Sequence, residues 1–278
     1  MLGDDVLPSP PSFAVLRASF SDHAERTVDL SMHDQGARFP PTRPSAIGSV
    51  ASDDPAERAR AFDILVRAYW KPVYNHIRMK WGRDAEDARD VTQGFFARAF
   101  EKRHFGSYDP ARSRFRTYLK ASLDNFVAEL ARGAGRQKRG GDALRISLDF
   151  DGAEEELSSS GALGGANDPH VVDACFDHEW TRSLFASALA ALEASCEKQG
   201  KRVYFEAFRH YVLDPEEGAQ RRSYAEVARV CEISVSDVTN YLSWTRREMR
   251  ERVLDQLREI TANEEEFREE ARALGVEP

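Results

Sequence analysis

The sequence is poor in cysteine. It has three in 278 residues, Cys175, Cys196 and Cys231, odd in number and far apart, which excludes a disulfide framework. Long hydrophobic runs are missing: no apolar stretch approaches the roughly 18–20 residues that cross a bilayer. A charged fraction of 31% and a mean hydropathy of −0.56 also argue against a membrane protein. The opening Met1-Leu2-Gly3-Asp4-Asp5 lacks the basic and apolar regions of a secretory signal. These absences lead to the expectation of a cytoplasmic chain with no membrane partner. Catalytic signatures are lacking too. Neither a P-loop nor a dinucleotide fingerprint occurs, and Cys175 and His178 stand as an isolated pair without further ligands at metal spacing. The expectation is a protein that is not an enzyme and has no cofactor.

What is present is helical periodicity. A hydrophobic fraction of 41% suffices for packed cores, and a chain of this length suggests about two domains at roughly 150 residues each. Residues 1–55 hold seven of the twelve prolines and read as an extended or disordered arm. Asp54-Pro55 then reads as an N-cap followed by proline just inside a helix. Phe62, Leu65, Val66, Tyr69, Val73 and Ile77 follow at three- and four-residue steps, with Pro72 expected to kink or restart the helix. A second helix is expected over 84–103, with Ala88, Val91, Phe95 and Ala99 and, alongside them, Phe96 and Phe100 on its apolar stripe. A third is expected over 113–134, with Phe115, Tyr118, Leu119, Leu123, Phe126, Val127 and Leu130 inward. No convincing strand alternation occurs, so the fold class expected is all-α.

Residues 140–175 combine glycines with Glu154-Glu155-Glu156 and Ser158-Ser159-Ser160 and read as a flexible acidic linker. Beyond it, Ser223-Tyr224-Ala225-Glu226 has the form of a capping box. It opens a short helix with Tyr224, Val227 and Ala228 inward. A compact turn with Ile233 buried follows, and then a second helix capped by Ser236, with Val238, Leu242, Thr245, Met249 and Val253 as its stripe. Two helices with so short a turn match a helix-turn-helix. The exposed face of the second carries short hydrogen-bonding side chains, then arginines, suited to base edges and phosphates. The same pattern also fits an ordinary helical hairpin with a solvated face. A last acidic segment, 261–278, reads as a helix or tail.

Charge is unevenly spread. The chain carries −8 overall, which at face value disfavours nucleic acid, yet residues 98–145 carry +7. Phe100, Phe105, Tyr108, Phe115, Tyr118 and Phe126 are interleaved with those cations. Cations that track phosphates beside rings that stack on unpaired bases are what a single strand needs. A solvated basic helix with all its aromatics in the core is the simpler alternative, and for Phe126 and Phe100 the core is expected. For Arg112, Arg114, Arg116 and the Arg136–Arg139 run, phosphate contact is expected.

The residues then carry a resemblance. Asp84-Ala-Glu-Asp-Ala-Arg-Asp-Val-Thr-Gln93-Gly-Phe-Phe96 resembles the D-A-E-D motif of region 2 in sigma-70 family factors. Tyr108–Leu119, with Asn125 and Arg132, resembles the promoter-melting part of that region, and Ser223–Val238 is similar to region 4 without gaps. Two domains without an intervening region 3 resemble the extracytoplasmic-function (ECF) group. Phe39-Pro-Pro-Thr-Arg43 and Phe176-Asp-His-Glu-Trp180 resemble a long-linker subgroup of it, which shortens the expected disordered arm to 1–38.

The resemblance implies a region 2-like domain over 39–139, a flexible acidic linker over 140–175, a region 4-like domain over 176–260 and the acidic segment 261–278. It implies a factor that binds RNA polymerase core, through the β′ clamp helices and β flap, and directs it to promoter DNA. An anti-sigma factor or other regulator would be a further partner. By the same resemblance, Asp87, Asp90, Gln93 and Phe96 dock on core. Tyr108, Arg112, Arg114, Phe115, Arg116, Tyr118, Lys120 and Asn125 melt the −10 element and hold an extruded base. Ser234, Ser236, Asp237, Thr239, Asn240, Ser243, Arg246 and Arg247 read the −35 element.

Departures from the pattern matter. Glu232 stands where region 4 has a turn glycine. Thr239 and Tyr241 replace basic residues early in the recognition helix, with Trp244 a turn later, so −35 affinity is expected to be weak and promoter choice to lean on the −10 domain or on another protein. The linker or tail is also a candidate to fold back on the basic patch as an autoinhibitor. Two other functions fit part of the sequence. One is a helix-turn-helix regulator acting without core polymerase; the other is a polymerase-binding adaptor that has lost promoter recognition.

Overall fold

The computed structural model describes residues 45–133, 148–165, 168–214 and 222–276. The expected arm 1–38, the segment 39–43 and the basic run 136–139 lie outside the described residues. Every regular element among the described residues is helical, as the periodicity predicts. The helices are α1 Ala46–Ser49, α2 Pro55–Lys80, α3 Ala85–Glu101, α4 Phe115–Ala131, α5 Phe150–Ser159, α6 Pro169–Lys198, α7 Arg202–Phe208, α8 Tyr224–Val230, α9 Val235–Glu259 and α10 Glu264–Leu274. Short 3₁₀ turns lie at His104–Ser107 and Ala162–Gly165, and a π-turn at Arg209–Leu213. No helix is long and apolar enough to cross a membrane among the described residues.

The chain divides into two compact units. The first comprises 45–184 with Gln256–Glu270, the second Phe185–Asp255 with 271–276. The division therefore falls inside α6 and α9, not in the stretch read as a linker.

In the first unit, α2 starts as expected, with the Asp54 carboxylate accepting from the Ala56 amide and Pro55 at the first helical position. Its stripe of Phe62, Leu65, Val66, Tyr69, Val73 and Ile77 is buried throughout. Pro72 neither ends nor restarts the helix, which runs on to Lys80. The backbone bond that proline forgoes is offset by burying Tyr69 and Val73 on either side of it. Against α2 pack α3, capped by Asp84 through the Asp87 amide, and α4, whose Phe115, Leu119, Leu123, Phe126 and Val127 are buried. Tyr118 and Leu130, expected inward, are only half-buried.

The linker expectation is corrected over 148–165. Phe150, Ala153 and Leu157, spaced by three and four residues, are buried in α5. Phe150 packs edge-on to Trp70 at 5.2 Å and against Tyr74 at 5.4 Å. The acidic residues are anchors here. Glu154 receives Arg78 and the Tyr74 hydroxyl at 2.5 and 2.6 Å, and Glu156 receives Lys71 at 2.6 Å and Arg182. A glycine-, serine- and glutamate-rich composition suggested a loop, but three apolar side chains on one face supply enough burial to order it.

Asp124 of α4 ties the end of α2 in place, accepting from Lys80 Nζ at 2.6 Å and Trp81 Nε1 at 3.1 Å and meeting His76 Nε2 at 3.0 Å. Burial alone would raise its carboxyl, but the hydrogen bonds from His76, Lys80 and Trp81 outweigh this and hold it at about 2. Its pKa is depressed in the folded state, so the stability it contributes is present above the ordinary carboxylate range and lost as pH falls from about 4 through about 2. Asp124→Asn is expected to cost about 2 kcal/mol at pH 6, a difference that vanishes near pH 2 in denaturation measured across that range. Leu157→Ala is expected to lower unfolding free energy by about 2–5 kcal/mol in urea titration, where a flexible linker would lose nothing.

Candidate nucleic-acid interface

The acidic motif on α3 splits between two faces. Asp87, Asp90 and Gln93, three residues apart, share one flank; Asp90 and Gln93 are exposed and Asp87 half-exposed, the last bonded to Arg83 at 2.8 Å. Phe96 does not join them. It is buried, 6.3 Å from the ring of Phe62 and 5.2 Å from that of Phe95. It follows the Val91–Phe95 stripe inward and is not available as a docking residue.

The basic residues at the start of α4 were expected to face phosphates, and three of them are paired with carboxylates. Arg116 donates from Nη2 to both oxygens of Glu270 at 2.6 and 2.7 Å and from Nη1 to Asp177 at 3.0 Å, with its guanidinium 4.0 Å above the Trp180 ring. Arg114 pairs with Glu269 at 2.7 Å, and Lys120 with Asp173 at 3.0 Å. Arg112 is exposed. Phe115 is fully buried among Tyr69, Phe105 and Tyr108, so it cannot stack on a base and belongs to the core. Tyr108 and Tyr118 are half-buried and held by their hydroxyls, which donate to the Ser113 and His104 carbonyls at 2.7 and 2.8 Å.

Beside these tyrosines a groove of about 480 Å³ opens between the C-terminal half of α3 and α4. Tyr118 and Phe126 form its aromatic wall, Arg98, Lys102 and Arg132 its cationic rim, and the exposed Asn125 amide lies on its edge. Glu129 pairs with Arg98 at 2.7 Å. Burial pushes the His104 imidazole below its ordinary value, with Arg98 acting in the same direction and Glu129 opposing. A ring wall with cations on the rim can accept an unpaired base and its phosphates. Sequence reasoning placed Asn125, Tyr118 and Arg132 in such a segment but missed Lys102 and Arg98 as part of its rim, though both lie in the basic segment.

In the second unit, α8 and α9 are two helices joined by a short turn over 231–234, as the pattern predicts. The Ser223–Glu226 capping box is present, with Ser223 N–H donating to Glu226 at 2.7 Å and Glu226 N–H to Ser223 Oγ at 3.3 Å. A second box lies at Ser234, two residues before Ser236, the cap expected from the sequence. Ser234 caps α9, accepting from the Asp237 amide at 3.0 Å, and Asp237 accepts from the Ser234 amide at 3.2 Å. Those two residues, expected at base edges, are engaged in ending the turn. Ile233 is half-buried, not buried, and Tyr224 half-buried against Tyr211 at 5.0 Å. Ser236, Thr239, Asn240, Ser243 and Arg247 are exposed on one face of α9, while Arg246 lies 5.7 Å over the Tyr211 ring.

The replacement of early basic residues has a structural account. Tyr241 stacks on Tyr204 of α7 at 3.7 Å, and Lys201 sits 4.1 Å over Trp244. Tyr241 and Trp244, two of the departures from the region 4 pattern, hold α9 against Tyr204 of α7, whereas Thr239 is exposed. Glu232 has φ +55°, the left-handed conformation the pattern reserves for glycine. Glu232→Gly is expected to raise stability by roughly 0.5–1 kcal/mol in thermal unfolding, without altering the exposed face of α9.

The sequence reading names the linker or tail as a candidate to fold back on the basic patch but not the carboxylates that lie over α4: Asp173 and Asp177 on α6, and Glu266, Glu269 and Glu270 on α10. Their signal was the three- and four-residue spacing of Glu266, Phe267, Glu270 and Ala271, which puts two acids and two apolar groups on one helical side. Among the described residues, no group of three His, Cys, Asp or Glu side chains is placed to hold a metal ion. No protein-family model matches the chain, and no curated protein or solved structure is found to be similar to it.

Proposed function

We propose that this chain is a sigma-70 family factor of the ECF type, which binds RNA polymerase core and directs initiation by recognising −35 DNA and melting −10 DNA. The observation that carries the proposal is the flank of α3. Asp90 and Gln93 face solvent, with the half-exposed Asp87 on the same flank, while the neighbouring Val91, Phe95 and Phe96 go inward. A helix-turn-helix regulator acting alone has no use for that flank, whereas a factor that docks on polymerase needs it. In this reading the second unit, with the exposed Ser236, Thr239, Asn240, Ser243 and Arg247, meets the −35 element. The groove beside Tyr118 and Asn125 receives an unpaired base of the −10 element; extrusion costs a few kcal/mol and is repaid by stacking and edge hydrogen bonds.

A second reading, a polymerase-binding adaptor without promoter recognition, is favoured by one observation: Arg114, Arg116 and Lys120 are occupied by carboxylates and Phe115 is buried. Transcription in vitro with core polymerase, on a library of genomic promoters, separates the two. Promoter-specific initiation is expected; core binding without initiation would mark the adaptor, and DNA binding without core binding a lone regulator. Asp87→Ala/Asp90→Ala/Gln93→Ala is expected to weaken core binding by at least tenfold while leaving the thermal midpoint unchanged. Loss of fold with loss of binding would remove this support.

A further inference from the structure

The start of α4 is covered by carboxylates of its own chain. We propose that the acidic face of α10, with Asp173 and Asp177 of α6, is an autoinhibitory cover that withholds Arg114, Arg116 and Lys120 from nucleic-acid phosphates until it is displaced. The inference rests on the reading of this basic segment as a nucleic-acid interface.

Three features of the contact carry it. First, the pairing is one cation to one or more carboxylates throughout: Arg114 with Glu269 at 2.7 Å and Glu270 at 3.4 Å, Arg116 with Glu270 at 2.6 Å and Asp177 at 3.0 Å, Lys120 with Asp173 at 3.0 Å. A carboxylate fork on a guanidinium satisfies the donors a phosphate would use, so the two are alternatives. Second, the cover reproduces an anion's other ligand as well. Helix α4 has no side-chain cap of its own, and its Phe115 amide donates to Glu266 Oε1 at 3.2 Å. Third, the pairs are graded. The side chains of Arg114 and Glu269 are 46% and 44% exposed and that of Asp173 is 60% exposed, so salt screens these pairs, while Arg116 and Glu270 are 13% and 3% exposed and are not. The Arg116–Glu270 fork, sealed by the Trp180 ring, is the latch, and the outer pairs guide it.

Such a cover also follows from charge. A chain of net −8 in which three cations of its +7 segment are paired internally binds polyanions less well by itself. Displacement uncovers three cations at once. The acids of α5 do not take part, since Glu154 and Glu156 are engaged with Arg78, Lys71 and Arg182.

The test is the salt dependence of binding of the full-length protein to a fluorescent 12-nucleotide single strand, without polymerase. Asp173→Asn/Asp177→Asn/Glu269→Gln/Glu270→Gln removes the cover while leaving Glu266 to cap α4. Freeing three cations, each contributing a slope of about 0.7, is expected to steepen log K against log salt by roughly 2 and to tighten binding on the order of tenfold at low salt. Since Glu270 is buried, the surface variant Asp173→Asn/Glu269→Gln provides a second measurement that does not disturb the fold; it is expected to steepen the slope by about 1. Adding Arg114→Gln/Lys120→Gln to the surface variant is expected to return the slope to the parent value. An unchanged slope in the surface variant overturns the proposal. So does a gain that survives Arg114→Gln/Lys120→Gln, because that gain comes from net charge alone. Failure of the parent chain to support core-dependent initiation, with the slope behaving as expected, would count against the sigma reading and leave the cover standing.

Discussion

Helix α4 begins without a cap of its own, and the first unit is organised around that deficit. The free amides of a helix start must find acceptors when they are buried, and Phe115, fully buried, cannot turn its amide to water. Glu266 of α10 supplies the acceptor, reaching across 151 positions of sequence. Its neighbours on the same helix, Glu269 and Glu270, then fall beside Arg114 and Arg116. One long-range contact thus brings the last helix onto the basic segment, seals Phe267 into the core and fixes which cations remain open to solvent.

The aromatic residues of 98–126 divide by the same logic of burial. Phe105 and Phe115 are in the core, where their rings meet Phe62 and Tyr69 edge-on or stacked. Tyr108 and Tyr118 stop halfway, because each carries a hydroxyl that a backbone carbonyl satisfies at the surface. Composition alone does not separate these two groups; the polar handle does. The result is a groove with a rigid aromatic wall and a cationic rim that the acidic cover leaves open.

In the second unit the polar residues of α8, α9 and their turn have two kinds of work. Ser223, Glu226, Ser234 and Asp237 cap the starts of helices, and Ser236, Thr239, Asn240, Ser243 and Arg247 face outward. Tyr241 and Trp244, the conspicuous departures from a basic recognition helix, pack on Tyr204 and Lys201. At these positions the side chains anchor α9.

Local physics was legible in the sequence. The three- and four-residue spacing of Phe62 to Ile77, the Asp54-Pro55 start and the Ser223–Glu226 box each act within one or two helical turns, and each forms as its spacing predicts. The flank shared by Asp87, Asp90 and Gln93 follows from the same rule. What only the tertiary structure decided involves partners far apart in the chain. That 150–159 is a packed helix and that Arg114, Arg116 and Lys120 are paired depend on residues 53 to 156 positions away. A charged side chain reads the same in sequence whether water or a carboxylate satisfies it. Which of the two it meets is set by how the helices pack, and here the packing sets Glu269 and Glu270 of α10 against Arg114 and Arg116.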